Sequence, residues 1–84
     1  MTMLEFFLEG IGDGVVEYSY IPFRDESFRG SVRADASNGE PIDFKLSGHQ
    51  CDYNASACVG KLFGRIGEFA KAGEFEDHGF IVWG

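Results

Sequence analysis

Two histidines and two cysteines are the side chains in this sequence with the widest chemical range. They follow the spacing H-x-C-x6-C-x19-H, formed by His49, Cys51, Cys58 and His78. Structural zinc sites contain a close C-x2-4-C pair, which this spacing lacks. Cys58 also falls in an apolar helical pattern, where a buried thiol behaves as a small hydrophobic group. The four residues are therefore weak metal candidates, and we predict no metal and no cofactor. Whether the two cysteines are bridged stays open.

A thiol enzyme would need one of these cysteines as nucleophile and His49 or His78 as base. Activation requires an electropositive, accessible setting for the thiolate, and the sequence provides none around either cysteine. The adjacent acids Asp25-Glu26 and Glu76-Asp77 do not form a general acid–base pair, because neighbouring side chains of an extended chain point apart. We expect no catalytic residues and no enzymatic activity.

Acidic residues are concentrated at the start of the chain. The net charge is −7, and the first 27 residues contain six acids against Arg24 alone. Nucleic acids and anionic membranes are bound through basic surfaces, so we predict that this chain binds neither directly. The same balance favours a protein partner with a basic surface. A general contribution to solubility explains it equally well, and both interpretations stay open.

The first two predicted strands form a hairpin. Residues 4–9 alternate, with Leu4, Phe6 and Leu8 on one face and Glu5, Phe7 and Glu9 on the other. Three glycines make residues 10–14 a loop, and residues 15–21 form the return strand with Val16, Tyr18 and Tyr20 facing the core. The outer face of this hairpin is acidic and carries an exposed aromatic ring, which is typical of a protein-binding surface. The predicted partner-binding residues are Glu5, Phe7, Glu9, Asp13 and Glu17. An alternative is that Phe7 is covered by a loop or by Trp83.

A second hairpin is predicted from residues 28–47. A two-residue Asn38-Gly39 turn would place inward Ala34 opposite outward Asp43, so side-chain parity excludes it. A three-residue loop, residues 37–39, instead sets Ala34 opposite Ile42, Val32 opposite Phe44 and Gly30 opposite Leu46. It also sets Arg33 opposite Asp43 on the solvent face and requires Gly39 to be left-handed. We expect Ile42, Phe44 and Leu46 to point inward.

One amphipathic helix follows, with Asn54 or Asp52 as its N-cap and residues 55–72 as its body. Its apolar positions share one face: Cys58, Val59, Leu62, Phe63, Ile66, Phe69 and Ala70. Gly73 is the predicted C-cap, and residues 79–83 form a last strand whose place in the sheet stays open.

The predicted fold is therefore an α+β domain of two layers. A mainly antiparallel sheet of four to five strands, in the order ββββαβ, carries the helix on one face. The 84 residues are too few for two cores, so residues 1–84 form a single domain. No apolar run is long enough to span a membrane and no signal peptide is recognisable, so we expect a cytoplasmic location.

Three glycines on the helix form a second candidate interface. Gly60, Gly64 and Gly67 lie roughly opposite the apolar face, and each costs the helix about 1 kcal/mol relative to alanine. They indicate the close approach of another backbone, from a partner, a second copy or a loop of the chain itself. The alternative is a helix held by its apolar face, in which the glycines have no role.

The leading functional hypothesis is a non-catalytic acidic module that binds a protein with a basic surface. One form is a small inhibitor that occupies the groove of a nucleic-acid-handling protein, as small acidic phage proteins such as many anti-CRISPR proteins do. A toxin-neutralising immunity protein would share this signature. The analogy is one of size and charge. The alternatives are a structural or self-assembling homodimer, formed through the glycine face or the last strand, and a Cys/His metal-binding or thiol protein.

Overall fold

A computed structural model describes residues 2–53 and 57–84 and shows the predicted element order. Two hairpins, a short 3₁₀ turn, one helix and a last strand follow one another along the chain. Their bounds are β1 Thr2–Gly12, β2 Val15–Pro22, β3 Gly30–Asp35, β4 Pro41–Lys45, the 3₁₀ helix Gln50–Tyr53, α1 Ala57–Ala72 and β5 His78–Trp83. The predicted α+β class and the order ββββαβ are confirmed.

The five strands form one antiparallel sheet in the order β4-β3-β2-β1-β5. The last strand lies at an edge beside β1, where Thr2 pairs with Trp83 and Phe7 pairs with His78. This placement, which the sequence left open, covers half of β1 and leaves its second half without a strand on that side.

The core lies between one face of the sheet and α1. Phe69 of the helix contacts the rings of Phe6 and Tyr18 at centroid distances of 5.9 and 6.1 Å. The predicted apolar face of the helix is buried at Cys58, Val59, Leu62, Ile66 and Phe69 and half-buried at Phe63 and Ala70. Aromatic rings bury more area than other side chains, so they can build a core in a short chain.

The predicted C-terminal end of the helix is confirmed, whereas the predicted first turn lies outside the described residues. The helix ends at Ala72, and Gly73 has a left-handed φ of 75°, as a C-cap glycine should. The predicted N-cap Asn54 and the predicted first turn, residues 55 and 56, lie outside the described residues. Asp52, the other predicted cap, directs its carboxylate to Tyr20 and Ser47. Among the described residues, no helix has the length and apolar character needed to cross a bilayer.

The first hairpin is tighter than predicted. Both strands continue through the glycines, and the turn consists of Asp13 and Gly14, whose φ angles of 53° and 78° are those of a type I′ turn. The predicted loop over residues 10–14 is therefore wrong. Next to this turn Gly10 pairs with Glu17, whereas further along the two strands Leu8 pairs with Tyr18. Strand β1 therefore has one more residue than β2 between these pairs, and this extra residue, Glu9, forms a bulge.

The second hairpin confirms part of its predicted register. Val32 pairs with Phe44, Arg33 pairs with Asp43, and Gly39 has a φ of 78°. The predicted pair of Ala34 and Ile42 is wrong, because a register shift sets Ala34 opposite Pro41. The predicted pair of Gly30 and Leu46 lies just beyond the ladder, because β4 ends at Lys45, but Ser31 and Lys45 pair in the predicted register.

The strand β4 is less buried than expected. All five of its residues are exposed, and Ile42 and Phe44 keep 50% and 51% of their surface accessible. The predicted inward direction holds for Phe44, whose ring meets Phe63 of the helix, and for Leu46, which packs against the core. Of the strands, β3 and β1 lie nearest to the helix, so the edge strand extends beyond the main area that the helix covers.

Candidate functional site

The sheet face turned away from α1 carries most of the predicted partner-binding residues. Side chains alternate along each strand, so Glu5 and Phe7 of β1 share this outer face with His78 and Phe80 of β5. The loop between β2 and β3 returns to the same face, where the Arg24 guanidinium lies 5.9 Å from the centre of the Phe80 ring. The outer face is thus built from two strands and a loop that are distant in sequence.

Glu5 and Phe7 are engaged in contacts within the chain. His78 Nε2 lies 2.5 Å from a Glu5 carboxylate oxygen, and the Glu5 side chain is only 16% exposed. The His78 ring stacks on Phe7 at 5.0 Å, and the Arg29 guanidinium lies 5.4 Å from the centre of the same ring. Phe7 is half-buried between these two groups. Because Arg29 belongs to the loop between β2 and β3, the alternative that a loop covers Phe7 is supported.

Glu9 occupies the bulge of β1 and reaches the neighbouring strand. Its carboxylate accepts a hydrogen bond of 2.5 Å from the Ser19 hydroxyl, and Arg29 donates to the same hydroxyl oxygen at 3.0 Å. The bulge places an extra residue opposite β2 and turns the Glu9 side chain toward the outer face. One carboxylate oxygen of Glu9 remains for another partner, and the residue as a whole is exposed.

Three of the five predicted residues meet at the end of the first hairpin. Glu9, Asp13 and Glu17 line one open hollow of about 610 Å³, here called the acidic hollow, together with residues 10–12, Val15 and Arg33. Within residues 2–53 and 57–84, no lysine or arginine forms a salt bridge with any of these three acids. Arg33 stands at the rim, but its guanidinium is held by Asp43 through two hydrogen bonds. The hollow therefore keeps an excess of negative charge.

The pairing of Arg33 with Asp43 accounts for the opposite pKa shifts of the two groups. Hydrogen bonds from the guanidinium hold the pKa of Asp43 below its ordinary value, and the carboxylate raises the pKa of Arg33. Glu17 contributes a further, smaller rise to the pKa of Arg33 across the strand pair.

Ile11 is an exposed residue beside the site that the sequence reasoning missed. It is 55% exposed and pairs with buried Val16, so its side chain lies on the helix side of the sheet, opposite the face of Glu17. Its place in a Gly-Ile-Gly segment predicted a loop and concealed its alternation with the strand residues. An Asp-Gly pair flanked by β-branched residues is a strong hairpin signal, and it would have placed Ile11 on a strand.

Among the described residues, no strand pairs with the edge of β1 next to Ile11. The last bond between β1 and the β5 side runs from the Leu8 amide to the Asp77 carbonyl at 2.8 Å. Beyond it, Gly10 and Gly12 have no atom within 4 Å of the positions that Cβ atoms would occupy. An unpaired strand edge bordered by glycines allows another backbone to approach closely.

The Cys/His set is not assembled into one site by the described residues. Cys58 lies on the buried face of the helix, whereas His78 contacts Phe7 and Phe80 on the opposite face of the sheet. His49 lies against the rings of Phe23 and Phe28, each at 5.1 Å. The side chain of Cys51 lies outside the described part. Among the described residues, no three His, Cys, Asp or Glu side chains are placed to hold a metal ion.

The three helix glycines have different surroundings. Gly60 and Gly64 are exposed, and alanine Cβ atoms there would meet nothing within 4 Å. Gly67 is half-buried beneath the turn of the second hairpin, because a Cβ on Gly39 would lie 2.6 Å from the Gly67 Cα. A loop of the chain itself therefore approaches the helix at Gly67, while the surface at Gly60 and Gly64 remains open.

No protein-family model matches this sequence, and neither a curated protein nor a solved structure matches it.

Proposed function

We propose that this protein is a non-catalytic binding module whose acidic hollow engages a basic surface on a protein partner. The observation that carries the proposal is the convergence of Glu9, Asp13 and Glu17 on one open hollow. The three carboxylates attract and orient lysine or arginine side chains, and half-buried Val15 offers an apolar contact at the same place. A partner segment lying along the free edge of β1 would reach both.

The interface proposed differs from the one predicted at two positions. Glu5 and Phe7 are held by His78 and Arg29 instead of lining the hollow, so the proposed interface leaves them out. Asp13 stands at the tip of the hairpin, in the tight turn, where it is exposed.

The concrete form of the proposal is an inhibitor of a nucleic-acid-handling protein. Such proteins bind phosphates with rows of lysine and arginine, and an acidic hollow can occupy those residues in place of the nucleic acid. Binding would then compete directly with nucleic acid and weaken as salt concentration rises. The cytoplasmic location expected from the sequence is part of this proposal.

The experiment is competitive capture with matched variants. The hairpin variant carries Glu9→Gln, Asp13→Asn and Glu17→Gln, which remove three charges and keep side-chain size. The control variant carries Glu26→Gln, Glu68→Gln and Glu74→Gln, which remove the same charge from exposed positions outside the hollow. Immobilised protein is exposed to nuclease-treated host lysate, and bound proteins are released with heparin, a polyanion that imitates nucleic acid.

We expect the wild-type protein and the control variant to retain the same heparin-released basic protein. The hairpin variant should bind that purified protein at least about tenfold more weakly, because three steering charges are lost. The wild-type protein should also reduce the nucleic-acid binding of the purified partner. Equal binding by the two variants, or a partner that binds nucleic acid undisturbed, would overturn the proposal.

A further inference from the structure

The strand β4 forms one edge of the sheet and is fully exposed. Among the described strands it pairs with β3 alone, and each of its five residues is accessible to solvent. Soluble domains usually protect such an edge with charges, prolines or bulges, and β4 contains Pro41, two charged residues and a register shift. Ile42 and Phe44 nevertheless remain half-exposed apolar side chains on this edge.

The charges that lead to this edge alternate in sign. On the outer face, Glu17 of β2 stands opposite Arg33 of β3, and Arg33 stands opposite Asp43 of β4. The row runs negative, positive, negative, and ends at an open edge. A positive charge on a further strand would continue it, because opposite charges on directly paired residues stabilise antiparallel strands.

The chain itself carries that positive charge two residues further along β4. Lys45 lies on the same face as Asp43, about 7 Å away along the strand. If a second copy of β4 pairs antiparallel with Phe44 opposite Phe44, each Asp43 stands opposite Lys45 of the other copy. The two contacts are equivalent by two-fold symmetry, which is the arrangement of an isologous dimer.

On the helix side of the sheet, the side chains that this register brings together are apolar. Phe44 contacts the Phe63 ring of α1 at 6.4 Å, edge to face. The register sets the two Phe44 rings against each other. Aromatic pairs across antiparallel strands are favourable, and half-exposed apolar surface would be covered.

We propose that β4 pairs with β4 of a second copy of this chain, which joins the two sheets into one of ten strands. Pro41 and the irregular pairing near Ile42 lie at the turn end of β4, so the ladder is short. The expected dissociation constant is therefore micromolar, and the acidic hollow remains accessible in the dimer.

The other edge strand is less suited to a second copy. Gly79, Ile81 and Trp83 alternate with Phe80 and Val82, and no lysine or arginine occurs in β5. Self-pairing there would lack opposite charges to set a register. The acidic residues Glu74, Glu76 and Asp77 precede this strand and add negative charge near it.

The test is a charge exchange followed by light scattering. At about 10 to 500 µM, the wild-type mass should rise from 9.3 kDa toward twice that value. Lys45→Asp places carboxylates opposite each other, and Asp43→Lys places ammonium groups opposite each other, so each variant alone should stay monomeric. An equimolar mixture of the two variants should form the dimer again, because every pair is then of opposite sign.

Lys71→Asp serves as the matched control, since it makes the same charge change on an exposed residue of α1. It should dimerise like the wild-type protein, and circular dichroism should show that all variants are folded. A wild-type protein that stays at 9.3 kDa overturns the proposal. Dimers that persist in both single variants, or a mixture that fails to associate, overturn it as well. Light scattering of the purified protein does not depend on the partner that the heparin experiment would capture, so either proposal can fail without the other.

Discussion

Asp52 is a buried acid that joins the segment after β4 to the inner face of the sheet. One carboxylate oxygen accepts hydrogen bonds from the Tyr20 hydroxyl at 2.9 Å and from the Ser47 amide at 3.0 Å, and also from the Ser47 hydroxyl. The other oxygen has no partner among the described residues. Burial of a carboxylate is costly unless hydrogen bonds replace its water, so these three donors hold the segment in place.

The Tyr20 hydroxyl is the donor whose removal tests this arrangement. Tyr20→Phe should lower the free energy of unfolding at pH 7 by about 1 to 3 kcal/mol, because a buried carboxylate loses a hydrogen bond. Tyr18→Phe is the control, since its hydroxyl donates to the neutral Glu76 carbonyl at 2.7 Å. That variant should lose only about 0.5 to 1.5 kcal/mol. Urea unfolding measures both, and equal losses would contradict the role assigned to Asp52.

The same tyrosine makes stability depend on alkaline pH. Burial, and secondarily the hydrogen bond to Asp52, raise the pKa of Tyr20 above its ordinary value of about 10. A raised pKa in the folded state means that the neutral hydroxyl stabilises the fold below about pH 10 and that this contribution is lost as the pH rises further. The difference in unfolding free energy between the wild-type protein and Tyr20→Phe should therefore shrink above pH 10. A difference in unfolding free energy that stays constant above pH 10 would contradict the raised pKa of Tyr20.

At the scale of elements, the turn of the second hairpin rests directly on the helix. Gly39 combines a left-handed φ of 78° with the absence of a Cβ, which would lie 2.6 Å from the Gly67 Cα. Both requirements are met by glycine and by no other residue. This contact connects the β3–β4 turn to α1 and sets where the helix crosses the sheet.

Alanine at Gly39 and at Gly64 should have opposite effects. Gly39→Ala should lower the free energy of unfolding by about 2 to 4 kcal/mol, through backbone strain and the clash with the helix. Gly64→Ala should raise it by about 0.5 to 1 kcal/mol, because the site is open and alanine favours the helix. Chemical unfolding of the two variants measures both effects. A destabilising Gly64→Ala would show that the open face has a packing role within the monomer.

At the scale of the whole molecule, the net charge of −7 opposes compaction. Screening by salt should relieve this repulsion, so the melting temperature should rise as sodium chloride increases from about 10 to 200 mM. A gain of about 1 kcal/mol would correspond to roughly 4 to 8 °C for a domain of this size. The triple variant Glu26→Gln, Glu68→Gln and Glu74→Gln should show a smaller rise. A melting temperature that falls with salt would indicate that internal ion pairs outweigh the repulsion.

Much of the local structure follows from the alternation of apolar residues. Leu4 and Phe6 are buried as predicted, and so are Val16 and Tyr18, because a half-buried strand must place every second side chain in the core. The pairing of Arg33 with Asp43 was predictable from side-chain parity across a turn with a left-handed glycine. The bulge at Glu9 was predictable in the same way, once Asp13-Gly14 is taken as the turn.

The candidate site was only partly predictable. Glu9, Asp13 and Glu17 belong to one hairpin, so local pairing is enough to bring them together. Glu5 and Phe7 were predicted as exposed, but their contacts come from His78, 73 residues after Glu5, and from Arg29. No pattern within the hairpin indicates which strand or loop will cover it.

Alternation and helical periodicity thus determined most of the strand residues, the buried face of the helix and the place where the acidic residues cluster. The tertiary structure decided the position of β5 beside β1, the exposure of β4 and the contact of Gly39 with Gly67. The physical reason is the range of the interactions. Side-chain periodicity acts between neighbours in the sequence, whereas strand order and the crossing of the helix depend on the packing of all the elements at once.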